Sequence, residues 1–398
     1  MAQFGDFTVD RNSTKYVLGS GGTIISYATD EPAFEFNADG SYKGLLVEPA
    51  ATNICLRSED ISTTWGPINS TPTQSTEETP DGDTSNKYIK LIDDNGGGTG
   101  SVVVAQGIAV TAGAKYTASV FLKADQLAFA FIRAEAYDVS TAGDQFFGLS
   151  GAGSLGTASN LDDSSIESYP NGWYRCSITW TQGASDTSFN FQIMVADSIS
   201  NRTIDRDGTS SIFVWGAQVE TGPIATSYIP TTTAQVTRNK DDITLGSASS
   251  LIGQTEGTLY LEVDWRLATG TPQALLELGD GTVNNRVQIY NNPSPVEFRM
   301  YVQANGGPSE TNQGVSSTGF SGIQKIAFAY KTDDFELYRN GSSISSDTSG
   351  SLAALATLSN IDIGQDNSAS FQANMHIRAV ALYPKRLSDA ECQALTTL

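Results

Sequence analysis

The strand-like run "LEVDWRL" sets Glu262 and Asp264 two residues apart. In an extended chain, positions i and i+2 project to one face. Two carboxyl groups held roughly 5–10 Å apart are the apparatus of glycoside hydrolysis. The same alternation has a plainer reading: Leu261, Val263 and Trp265 face a core and the two acids face solvent. The single histidine, His376, lies in "ANMHIRAVALY", a strand pattern, and is expected to be structural. No Ser-His-Asp or Cys-His set can be assembled without it, and no serine or cysteine sits in a nucleophile-elbow context. Cys55, Cys176 and Cys392 are odd in number and far apart. They make neither a disulfide framework nor a zinc spacing, so each is expected to be a small buried hydrophobe. The chain is therefore expected not to be an enzyme.

Binding chemistry has more to work with. Sugar sites combine an aromatic platform with Asn, Asp or Gln for hydroxyls. Trp65 lies in the irregular "TTWGPINS" and is the tryptophan freest to serve as a ligand contact. Trp173, Trp180 and Trp215 lie in strand patterns and are expected to pack. "NNRVQIYNN" offers Asn284, Tyr290 and Asn292, which could line one end of a C-terminal sandwich or simply form a polar hairpin. "DRDG" places Asp205 and Asp207 before Gly208, a fragment of a Ca²⁺ loop. Counted from Asp205, position 12 is Gly216 rather than the Glu of an EF-hand, so a tight turn is the simpler account.

These residues need strands to hold them, and strands dominate. Short runs rich in Val, Ile, Phe, Tyr and Thr, such as "KYTASVFLKA", "WYRCSITW", "FNFQIMVA" and "VEFRMYVQ", are bounded by "DDNGGG", "TAGA", "YPNG" and similar turns. Asn340-Gly341 predicts a two-residue hairpin. One helix is expected, in "SDAECQAL", with Ser388 as N-cap, Glu391 completing a capping box, and Ala390, Cys392 and Leu395 inward. The fold class is all-β: two antiparallel β-sandwiches in tandem, a small β-rich N-terminal segment and a short C-terminal helix. The units are residues 1–56, 57–240 and 246–398, with "SYIPTTTAQVTRNKDDITLGSASS" as a polar linker between the last two. "VDRNS" at Val9–Ser13 and "VTRNK" at Val236–Lys240 echo each other faintly.

The 398 residues carry a net charge of −21. Nucleic-acid binding needs a basic footprint that is not visible, and an anionic membrane surface would repel the chain. No apolar run reaches 18 residues, so no membrane insertion through a helix is expected. The start, "MAQFGDFTVD", lacks the basic and apolar regions of a signal peptide, so synthesis in a cytoplasm without export is expected.

"KGLLVEPAATNICLRSEDIS", "YTASVFLKA", "NGWYRCSITW" and "FVWGAQVETGPIATSYIPTTTAQVTR" together resemble bacteriophage virion and tail-fibre-like proteins, over residues 1–240. The central region resembles a carbohydrate-binding-module jelly roll. "FELYRNGSSISSDTSG", "IDIGQD" and "HIRAVALYPKRLSDAECQAL" resemble the laminin-G/concanavalin-like lectin sandwich. The resemblance implies a tail fibre, spike or capsid-surface decoration, assembled into virions in a host cytoplasm and presenting its sandwiches to host-surface glycans. It implies attachment to other virion proteins through the N-terminal segment, a homo-oligomer, and a possible structural Ca²⁺. Concanavalin-like hydrolases carry a Glu-x-Asp-x-x-Glu strand; here the third position is Leu267, which removes one essential carboxylate. A stand-alone glycan-binding lectin and a tail-associated glycan-degrading enzyme are the alternatives.

Overall fold

A computed structural model describes residues 6–136, 143–265, 272–294, 296–316, 322–368 and 370–398. Alternation within the strand runs sorts apolar and polar residues onto opposite faces, and the result is two double-layered sandwiches with antiparallel pairing. The central one stacks two six-stranded sheets. The first runs Ser154–Ser159, Gly143–Gly148, Phe129–Ala136, Ser188–Ala196, Val103–Ala109, Gly66–Ile68. The second runs Asp163–Ser168, Trp173–Thr181, Lys115–Ala124, Ser211–Thr221, Lys87–Asp93, Ser70–Ser75. Pro67 and Pro72 lie on the two edge strands at one end, where a missing backbone donor costs no ladder bond.

The second sandwich departs from the expected domain boundaries. One of its seven-stranded sheets begins with Thr8–Asp10 paired to Asp242–Leu245, and the other ends with Tyr42–Val47, paired to Met375–Tyr383, and the edge strand Phe34–Phe36. Val9, Leu45 and Val47 share one apolar core with Leu261, Val263, Leu276 and Phe328. Residues 1–56 are thus not a separate segment: their strands are long-range partners of the C-terminal sandwich. Their hairpin, Lys15–Leu18 with Ile24–Tyr27, instead packs Ile24 and Tyr16 against Phe121, Trp173 and Trp215 on the outside of the central sandwich. The expected linker is also built in, since Val236–Arg238 pairs with Ala51–Asn53.

The two connections meet in a buried ionic hub. Lys15 Nζ lies 2.6 Å from Asp241 and 3.0 Å from Glu48, and donates to the Leu46 carbonyl. Arg11 pairs with Asp241 at 2.9 Å and Arg238 approaches Glu48 at 3.6 Å. All five side chains are at most 2% exposed. Burial alone would raise the Glu48 carboxyl, but Lys15, Arg238 and Ser227 hold it well below the usual carboxylate range. The faint echo acquires a physical meaning here: Asn239 donates to Ser13 Oγ and to the Asn12 carbonyl, so the two Arg-Asn stretches touch.

The Asn340-Gly341 hairpin forms as expected, with φ of +46° and +84° between Asp334–Arg339 and Ser342–Asp347. The helix Asp389–Thr396 carries the full Ser388–Glu391 capping box. Cys392 and Thr396 are buried and Leu395 partly so, whereas Ala390, expected inward, is exposed. The helix lies on one sheet face and touches it through the later positions.

Candidate functional site

A cleft of about 510 Å³ opens beside the central sandwich. Three pieces of chain form it: the turn "RSED" at 57–60, the start of the strand Lys87–Asp93, and the returning segment 230–236. Arg57 adopts a left-handed φ of +53°. That conformation is held at both ends: its N–H donates to the Thr232 carbonyl at 2.8 Å, and its own carbonyl accepts from Trp65 Nε1 at 3.3 Å. The Arg57 Nε is buried with no hydrogen-bond partner. Lys87 is held by Asp83 at 2.9 Å and Glu59 at 3.4 Å. Tyr88 leaves 38% of its surface open and Val236 40%. A phenol face beside Asn86, Asp60 and the Arg57 guanidinium is the combination that hydroxyl-rich ligands require. The lining cations Arg57 and Lys87 are matched by Glu59 and Asp60, so the cleft suits an uncharged ligand.

Trp65, the expected ligand contact, belongs to the core instead. It is 3% exposed, and its ring lies 5.8 Å from that of Phe191. The irregular sequence around it hides an apolar side chain turned inward, so it acts on the cleft only through the Arg57 carbonyl. Trp173, Trp180 and Trp215 are core residues; the Trp265 side chain and Leu267 lie outside the described residues.

The second aromatic candidate is divided by the fold. Tyr290 and Asn292 share the outer face of Arg286–Pro293, where the Tyr290 ring stacks 6.4 Å from Phe371 and its hydroxyl donates to Asn312. Asn292 donates to the Ser294 carbonyl. Asn284 sits in the exposed turn before the strand, about 26 Å along the chain from Asn292 at 3.3 Å per residue. The three do not form one site.

Asp205 ends a short strand paired with Thr99–Gly100 and Asp207 stands in the turn after it, so the two make no ligand set. Asp207 accepts from the Thr209 N–H and hydroxyl, while Arg206 between them makes two bonds to Asp94. The loop is closed by Asp93, which accepts from Gly208 and Ser210. Among the described residues no three acidic, His or Cys side chains are placed to hold one metal ion.

The possible catalytic groups are similarly occupied. Leu261 and Val263 are fully buried, and Glu262 on the opposite face is ion-paired with Arg378 at 2.9 Å. His376 is buried with its Nε2 against the Glu35 carboxylate. Cys55, Cys176 and Cys392 are free and buried, and burial raises all three thiols. A carboxylate pair that the sequence concealed lies elsewhere: Glu277 and Asp362 are cross-strand neighbours. Burial pushes Glu277 up to about 8 in spite of the Asn367 N–H and Arg286, and burial with the nearby Asp242 and Asp366 charges pushes Asp362 up to about 7. They are 0% and 4% exposed, so no substrate reaches them. Glu277 interrupts the apolar run "QALLELG", the one signal that could have drawn notice.

No protein-family model matches the chain, and no curated protein matches it. Among solved structures, the CBM40 of a Ruminococcus gnavus IT-sialidase aligns over 37% of this chain and 86% of that one, at 17% identity and a TM-score of 0.33. A leech intramolecular trans-sialidase complexed with 2,7-anhydro-Neu5Ac aligns over 37% of this chain and 24% of its own, at 16% identity and a TM-score of 0.30. The binding domain of botulinum neurotoxin DC, in complex with rat synaptotagmin II, aligns over 40% of each chain, at 12% identity and a TM-score of 0.33. Likeness at this level covers part of the chain and assigns it no ligand.

Proposed function

We propose that this chain is a non-catalytic structural protein of a bacteriophage virion that presents its sandwiches to host-surface glycans, binding a neutral saccharide in the Tyr88 cleft. The observation that carries the reading is the cleft itself, which sets an open phenol face beside the side chain of Arg57, whose backbone is held on both sides. The non-catalytic part is supported by the pairing of Glu262 with Arg378 and the burial of His376 against Glu35. The virion part is supported by the resemblance of residues 1–240 to phage virion proteins.

Because the N-terminal strands complete the C-terminal sandwich, attachment to other virion proteins is assigned to the folded surface rather than to a detachable arm. The subunit is expected to be a homo-oligomer on the particle. Screening the full chain on an array of neutral and acidic glycans tests the cleft. Tyr88→Ala should weaken neutral hits by several-fold to about tenfold, the range of an aromatic contact. Neutral hits unchanged by Tyr88→Ala refute the cleft. Phage particles that antibodies against the chain do not label, together with a stable monomer in solution, refute the virion role.

A further inference from the structure

The outer face of the first central sheet carries a second, separate groove. Its floor is Phe131, 2% exposed, with Phe146 beside it at a ring separation of 4.4 Å. Two guanidiniums lie over the Phe131 ring: that of Arg133 at 5.5 Å and that of Arg202 at 5.3 Å. They differ in one respect. Arg133 is held by Asp144 through two bonds of 2.7 and 2.8 Å. Arg202 is half-buried, yet among the described residues no carboxylate, carbonyl or hydroxyl accepts a hydrogen bond from it.

An arginine left unpaired in a protein of net charge −21 is not short of carboxylates to meet. Its turn is also stiff: Asn201 donates to Asp197 and to the Thr203 carbonyl, and accepts from the Thr203 N–H. Burial, followed by the like charge of Arg133, disfavours the Arg202 cation against the weaker pull of Asp144 and Glu135, a penalty that an incoming anion relieves. Arg133 and Arg202 face Asp144 on the lining of this 160 Å³ groove and Glu135 beside it, 3.9 Å from Arg133, so the charges balance; Arg133 engages both carboxylates and Arg202 keeps its donors. Thr157 and Ser159 stand at its side with hydroxyls. A planar guanidinium with free donors matches a carboxylate through two parallel bonds, and the hydroxyls suit a polyol attached to it.

We propose that this groove binds the carboxylate of an acidic saccharide through Arg202, a second sugar site that rests on the glycan-adhesion reading but shares no residue with the Tyr88 cleft. Arg133 is the positioning residue: fixed by Asp144, it covers Phe131 and occupies the carboxylates that Arg202 would otherwise meet. Neutral sugars lack the group that Arg202 is placed to receive.

The test is calorimetric titration of the full chain with glucuronic, galacturonic and N-acetylneuraminic acids, with their methyl esters as uncharged controls and with sulfated galactose. At least one carboxylic acid should bind, and esterification should weaken it by about tenfold, the worth of a charge-assisted hydrogen-bonded pair. R202Q should produce the same loss, and R202K, which keeps the charge without the fork, should fall between. Neutral-glycan binding should be unchanged in R202Q. The proposal is overturned if every acid binds no better than its ester, if R202Q (with its melting temperature retained) or R202K binds as the wild type does, or if sulfated galactose outbinds all the carboxylates. Loss of neutral-glycan binding alone would overturn the Tyr88 cleft and leave this site standing.

Discussion

Asp241→Asn is the most informative perturbation of the fold. Asp241 receives Arg11 at 2.9 Å, Lys15 at 2.6 Å and the Glu48 N–H at 2.9 Å, all in a buried setting. The wild-type hub holds three cations, Arg11, Lys15 and Arg238, against two carboxylates, Glu48 and Asp241. The substitution keeps nearly the same volume but leaves three cations facing one carboxylate. Removing one partner of a buried pair costs about 3–5 kcal/mol, because the abandoned charge stays desolvated. For a unit of this size each kcal/mol lowers the melting temperature by about 2–4 °C, so the shift should be about 6–20 °C. Lys15→Met, by contrast, leaves two cations against two carboxylates and should cost less. Scanning calorimetry of the full chain reads both shifts, and hydrogen exchange locates them at the strands Tyr42–Val47 and Asp242–Leu245. If Asp241→Asn melts within about 2 °C of wild type, or if Lys15→Met costs more, the charge-balance reasoning is wrong.

Other outcomes follow from the same geometry. Glu277 and Asp362 bind protons more tightly folded than unfolded, so the C-terminal sandwich should lose stability as pH rises from about 5 to 8; Glu277→Gln should flatten that slope in denaturant titrations across the range. Trp65→Ala should destabilise the central sandwich by about 3–5 kcal/mol, seen in urea unfolding, where a surface platform would cost almost nothing. A thiol reagent should leave Cys55 and Cys176 untouched in the native protein and modify both on unfolding, since burial keeps the thiolates from forming; native-state labelling would contradict the packing.

Local signals in the sequence were faithful. The strand runs, the Asn340-Gly341 turn and the Ser388–Glu391 box depend on neighbours a few residues away, and each appears where its chemistry demands. The long-range decisions were hidden. "GLLV" reads as a strand, but nothing near it reveals that Leu46 pairs with His376. "VTRNKDDITL" reads as a solvated linker because its charges are normally exposed; Arg238 and Asp241 are buried only because Glu48, Arg11 and Lys15 arrive from the far end of the chain. The Tyr88 cleft was illegible for a similar reason, since its walls come from residues 57–60, 86–88 and 230–236. Arg202 looks ordinary in "SISNRTID"; only the sheet beneath it shows that Asp144 is already taken by Arg133.

The placement of Tyr42–Val47 beside Met375–Tyr383 has a consequence for biosynthesis. The central sandwich has all its strands once residue 221 has emerged from the ribosome and can fold as a unit while synthesis continues. The outer sandwich cannot close until its last long strand is made, so its N-terminal strands wait with apolar edges unpaired. The finished central module shields part of that early chain, because the hairpin Lys15–Leu18 and Ile24–Tyr27 packs on its surface. The same nesting makes the module exchangeable: a different sandwich spliced between Asn53 and Val236 would enter and leave through one paired doorway, allowing the central sandwich to be replaced without rebuilding the one that encloses its ends.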